Sequence, residues 1–193
     1  MPLPGGPSDK LGNRYELWWT ISQIVRIISG DGDSIRIEEP GFDKAEFLLL
    51  SKNTYEFHQG KRSHPDGKWT LSSLGSTDVQ LLQEMYKQLL GNDHRFVFVS
   101  TSDAAELREL SDRARDATSI VEFESIFLKA KEHAKQFQRI QDYWGNCSRV
   151  TAYEILKRIE VHTIDEANLR RQVRWGMQGL FLAKPDDVRD RFY

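Results

Sequence analysis

Asp43, Gln59 and Lys61 are the residues whose types and spacing could do chemistry together. Asp43 opens an apolar stretch over residues 42–50, Gln59 and Lys61 close the stretch Thr54–Lys61, and Ser51-Lys52-Asn53 turns the chain between them. Side chains alternate along a strand, so Gln59 and Lys61 point the same way. Antiparallel pairing around the turn brings Asp43 level with them. A carboxylate, an amide oxygen and an ammonium at one point can hold a divalent ion and activate water against a phosphodiester. Asp43 would anchor the metal, and Gln59 or the adjacent backbone carbonyl would give a neutral oxygen. Lys61 would orient the water or neutralise developing charge. Glu16 and Glu38 are the acids that could complete the shell. Arg62, His64 and Lys68 come next and could grip phosphates without reading bases. Taken singly, each is an ordinary turn, edge or loop residue. Their conjunction is what points to a site.

The elements that must position them follow from periodicity. Residues 14–29 read as a helix with Asn13 as N-cap and Gly30 at the exit. Its apolar face would carry Trp18, Ile21, Val25 and Ile28. Gly30-Asp31-Gly32-Asp33 is a turn, since it lacks the further oxygen ligands of a calcium loop. Residues 34–38, 42–50 and Thr54–Lys61 read as strands. Phe47-Leu48-Leu49-Leu50 is apolar on both faces, as in a sheet covered by helices on both sides. Residues 77–90 read as a helix and Arg95–Ser100 as a fourth, buried strand. From there the texture is helical. Phe123, Ile126, Phe127, Ala130, Ala134, Phe137 and Ile140 form one stripe, broken at Trp144-Gly145-Asn146. Helices over 151–159 and 165–182 follow, the last capped by Asp165. The organisation is a flexible leader over 1–10, an α/β core over 11–102 and a helical extension over 103–193.

Composition narrows the setting. The chain has 193 residues, a net charge of −2 and 39% apolar residues, which describes an ordinary globular protein rather than a highly basic nucleic-acid binder. No apolar run approaches the roughly 20 residues of a membrane span. The single cysteine, Cys147, excludes an internal disulfide and suggests a reducing, cytoplasmic location. The histidines show no His-Glu-x-x-His spacing, and there is no Gly-x-x-x-x-Gly-Lys phosphate loop. Trp69 and Trp144 read as core aromatics. A second basic group, Arg170, Arg171 and Arg174, lies near the C-terminus.

The order Gly12-Asn13-Arg14-Tyr15-Glu16, Glu38-Glu39, Phe42-Asp43, His58-Gln59-Gly60-Lys61 and Trp69-Thr70-Leu71-Ser72-Ser73-Leu74 resembles the PD-(D/E)XK nuclease superfamily. More narrowly, it resembles the Gln-x-Lys branch found as N-terminal effector domains in bacterial anti-phage proteins. Those include the cyclic-oligonucleotide-activated CBASS effectors and the AVAST-type STAND NTPases. The resemblance implies a restriction-endonuclease-like α/β fold, a central mixed sheet flanked by helices with a C-terminal helical extension. It implies an endonuclease domain cleaving double-stranded DNA with low sequence specificity, using Mg2+ or Mn2+. Asp43, Gln59, Lys61 and Glu16 would be catalytic, with Asp43, Gln59, Glu16 and Glu38 around the metal. Activation would come from assembly of homo-oligomers through a larger sensor protein. Gln59 departs from the superfamily's usual acid. That keeps open a catalytically silent oligomerisation or DNA-docking module; a nuclease using the same site on RNA is a further alternative.

Overall fold

The computed structural model describes residues 7–37 and 47–182. Asp43 and Glu38 lie outside the described residues. Helix α1 spans Pro7–Ile28. It begins well before Asn13, so the expected N-cap is an interior residue. Among its described side chains the buried ones are Tyr15, Trp19 and Gln23, at the i, i+4, i+8 spacing of one helix face. The expected stripe is rotated away from this face: Ile28 is exposed and Trp18 only half-buried. Two large aromatics with polar handles displace the smaller aliphatics from the sheet.

Strands β1 (Ser34–Ile37), β2 (Phe47–Ser51) and β3 (Thr54–Lys61) form an antiparallel meander. The β2–β3 turn uses Lys52 and Asn53, both at positive φ, 50° and 64°, the geometry that matches the twist of a two-residue hairpin. Strand β4 (Arg95–Ser100) runs parallel to β3. Strand β5 (Ile159–Thr163) runs parallel to β4, giving one sheet in the order β1-β2-β3-β4-β5. β5 departs from the largely helical reading of the chain after residue 102. The sheet draws its edge strand from far along the chain.

Helix α1 and helix α8 (Glu166–Leu182) cover one face of the sheet. There Tyr15, Trp19 and Leu169 pack on Phe47, Leu49, Val97 and Val99. The other face carries the larger core. Leu48, Phe57, Phe96, Phe98 and Val161 meet residues of α2 (Leu71–Leu74), α3 (Leu81–Leu89) and α4 (Ala105–Asp116). Residues of α6 (Lys131–Tyr143) and α7 (Arg149–Leu156) join them, after a short turn α5 (Ile120–Glu122). Cover on both sides explains the two-faced apolar runs of β2 and β4.

The helix expected over 77–90 is shorter, and the preceding α2 is set by a reciprocal capping box between Thr70 and Ser73. The expected stripe over 123–140 is interrupted. A π-helical turn at Phe123–Phe127 ends before α6 starts, and Ile126 points to solvent. Trp144 does break α6, with Gly145 and Asn146 at positive φ.

Candidate functional site

Strand register decides what the sequence-predicted residues can share. Phe57, Gln59 and Lys61 lie opposite Phe96, Phe98 and Ser100, on the face of the larger core. His58 and Gly60 belong to the face under α1. A Cβ at Gly60 would sit 3.2 Å from Cγ of Glu16. Glu16 therefore approaches the sheet from the α1 side at Gly60, which stands between Gln59 and Lys61 in the strand. Gln59 is buried, with its Nε2 donating to the Gly60 carbonyl at 3.3 Å. Among the described residues no group of three or more His, Cys, Asp or Glu could hold a metal ion. Of the expected shell, only Gln59 and Glu16 belong to the described residues.

The expected phosphate residues divide. His64 packs edge-on against Trp69 at 4.8 Å and its backbone N–H donates to the Ser102 hydroxyl at 3.1 Å. Lys68 is exposed and its backbone bridges to Asp103. Arg62 takes a different role. Its carbonyl accepts the Thr101 N–H at 2.8 Å and the Thr101 hydroxyl, and its guanidinium turns toward Glu166.

That contact belongs to a second constellation, at the carboxyl ends of the parallel strands. Lys61, Ser100 and Thr163 end β3, β4 and β5 in register. Open α/β sheets receive ligands outside this edge. The chain then passes from Ile164, whose N–H donates to the Ser100 carbonyl at 2.9 Å, into α8. Asp165 caps α8 by accepting the Asn168 N–H at 2.8 Å, as its sequence position predicts. Tyr15 ties α1 to the same turn, its hydroxyl donating to the Ile164 carbonyl at 3.0 Å. Burial, with Asp165 and Glu166 adding, pushes the Tyr15 phenol well above its ordinary value, so it stays a donor.

Glu166 gathers the basic residues. Arg14 meets it at two points, Nε at 2.8 Å and Nη2 at 3.1 Å. Arg170 approaches at 2.7 Å and Arg62 at 3.9 Å. Partial burial works against the Glu166 charge. The bond from Arg14 and the fields of Arg14, Arg170 and Arg62 outweigh it, so its carboxyl is held below the ordinary value. Beside this cluster lies a cleft of about 440 Å³ lined by Arg14, Glu166, Ala167, Arg170, Arg171 and Arg174. Four arginines against one glutamate leave it strongly positive, and their fixed forks suit phosphate oxygens. Arg170, Arg171 and Arg174 are visible in the sequence as a basic group at helical spacing. Arg14 and Glu166 carry no sequence signal for this role, because only the packing of α1 on α8 joins them.

No protein-family model matches the sequence, and no curated protein matches it. Among solved structures, the chain is similar to the Cap4 SAVED/CARF-domain containing receptor of Acinetobacter baumannii bound to the cyclic trinucleotide 3'3'3'-cAAA. The TM-score is 0.50 at 13% identity, over 93% of this chain and 38% of that one. It is also similar to the Cap4 SAVED/CARF-domain containing receptor of Moraxella osloensis, with a TM-score of 0.44 at 10% identity over 86% of this chain and 36% of that one. The chain thus spans well under half of either receptor. The first of these neighbours corrects the expectation of an endonuclease domain cleaving double-stranded DNA. It is named as a receptor and holds a cyclic trinucleotide.

Proposed function

We propose that this chain is a binding module of a larger receptor, and that its arginine cleft grips the phosphodiester groups of a small cyclic oligonucleotide. The observation that carries the reading is the set of Arg14, Arg62 and Arg170 converging on Glu166 at the carboxyl edge of three parallel strands. Each of these guanidinium groups keeps between 39% and 45% of its side chain exposed, so each can take a second anion without leaving Glu166. A cleft of about 440 Å³ falls within the roughly 300–1,000 Å³ of small-ligand sites. The solved neighbour with a bound cyclic trinucleotide supplies the ligand class, and the resemblance to cyclic-oligonucleotide-activated effectors agrees with it. Anti-phage signalling would be the setting. The antiparallel meander continued by parallel strands supports reading the scaffold as restriction-endonuclease-like in topology, here put to binding. The reading requires no metal and no bond cleavage.

Isothermal titration with 3'3'3'-cyclic triadenylate tests it. Binding should be saturable, weaken as salt rises, and drop at least tenfold in Arg14→Ala and Arg170→Ala. A chain that ignores cyclic triadenylate but binds duplex DNA, or whose binding survives both substitutions, would overturn the proposal.

A further inference from the structure

Tryptophan is mostly buried in folded proteins, yet Trp175 is 62% exposed on α8. It stands beside the arginine cleft. Arg171, which lines the cleft, lies over the Trp175 ring at 6.0 Å from its centroid. The pairing recurs at the preceding residue, where Arg170 lies over Trp18 of α1 at 5.4 Å. Trp18 is only half-buried. Two adjacent helices therefore set guanidinium groups beside indoles, Arg14 and Trp18 on α1, Arg170, Arg171, Arg174 and Trp175 on α8. An oligonucleotide likewise carries phosphate groups beside bases. Positive grooves with interleaved aromatics hold unpaired strands, because every base has a face to stack and the backbone follows the charge. A duplex keeps its bases stacked inside and has nothing to give an exposed indole.

Resting on the reading of the cleft above, we propose that Trp175 is a base-stacking platform and that the ligand is an oligonucleotide with unpaired bases. Stacking on an aromatic residue is worth about 1–3 kcal/mol per base, a factor of roughly 5 to 150 in affinity. Two probes separate the two layers of the claim. Inorganic tripolyphosphate reports the arginines alone, and linear triadenylate reports arginines and stacking together. Trp175→Ala should weaken triadenylate at least fivefold while leaving tripolyphosphate within twofold of the parent. Trp175→Phe should restore most of the difference, and triadenylate should quench tryptophan emission in the parent but less in Trp175→Ala. Circular dichroism of each variant checks the fold. Equal triadenylate affinity in Trp175→Ala and parent would overturn the stacking role while leaving the arginine cleft standing. Tripolyphosphate that fails to bind the parent would overturn the cleft, and the stacking proposal with it.

Discussion

Trp19 of α1 donates its indole N–H to Nδ1 of His58 across 3.2 Å. That bond fixes the imidazole tautomer. With Nδ1 accepting, the proton sits on Nε2, which faces the Glu56 carboxylate at 3.3 Å. Arg26 of α1 approaches the same carboxylate at 3.4 Å. His58 also stacks on Phe47 at 4.6 Å. A neutral imidazole is thus built into the interface between α1 and the sheet.

The first prediction is acid sensitivity. Burial lowers the His58 pKa from its ordinary 6.5, outweighing the opposing pull of Glu56, and Arg26 and His162 add to the lowering. The unfolded chain therefore takes up a proton near pH 6.5 that the folded chain refuses. Stability from this group is fully present above pH 6.5 and declines as pH falls below it. The hydrogen bond from His58 lowers the Glu56 pKa from 4.5, so a second loss follows as pH falls through the carboxylate range. Urea melts between pH 7.5 and 5 should show a steady loss, and His58→Gln should flatten it. A parent equally stable at both pH values would contradict this account.

The second prediction concerns how α1 meets α8. A Cβ at Gly176 would fall 2.6 Å from Cγ1 of Val25, and a β-branched neighbour cannot swing aside freely. Gly176→Ala should cost roughly 1–2 kcal/mol, overpacking exceeding the gain in helix propensity. Val25→Ala should remove the penalty, so that the double variant is no less stable than Val25→Ala alone. A four-way set of urea melts measures the coupling, and additive costs would contradict the contact.

A third follows from the β2–β3 turn. Lys52 is poorly suited to its φ of 50°, and Asn53 at 64° is less suited than glycine. Placing Asn-Gly there, through Lys52→Asn and Asn53→Gly, should stabilise the chain by about 0.5–1 kcal/mol. The backbone bond from Lys52 N–H to Asp33 at 2.9 Å is kept. A lowered urea midpoint would count against the turn geometry.

This turn was legible in the sequence, as were β3 and β4, because each is a short apolar run between strong turn signals. β5 was not. Ile159, Val161 and Thr163 alternate with Glu160 and His162 over only five residues, too short to stand out between two helices. Its partner β4 lies some sixty residues earlier, beyond any local pattern. The start of α1 was misplaced because Asn13 looks like a cap wherever a helix could begin. The arginine cleft was half legible. The basic spacing on α8 shows in the sequence, but Glu166, which sits among those arginines, has meaning only once Arg14 reaches it from α1 and Arg62 from just past β3. The Gln59–Lys61 pair shares a strand face as alternation requires, and Glu16 meets the same strand at Gly60 between them, a relation no linear spacing expresses.

The last prediction turns on that glutamate. In the free chain Glu166 occupies Arg14 and Arg170 at 2.8 and 2.7 Å, so an incoming phosphate competes with a resident carboxylate for the same forks. Glu166→Gln removes the competing charge and leaves the side chain nearly the same size. Affinity for tripolyphosphate should rise severalfold, with a steeper dependence on salt because one more net positive charge faces the ligand. Thermal stability should fall slightly, since three guanidinium groups then face one another without a counter-charge. Adding tripolyphosphate should restore that loss more fully in the variant than in the parent, because a ligand that binds only the folded state stabilises it in proportion to its affinity. A variant that loses stability and also binds tripolyphosphate more weakly would mean that Glu166 arranges the arginines for the ligand rather than competing with it.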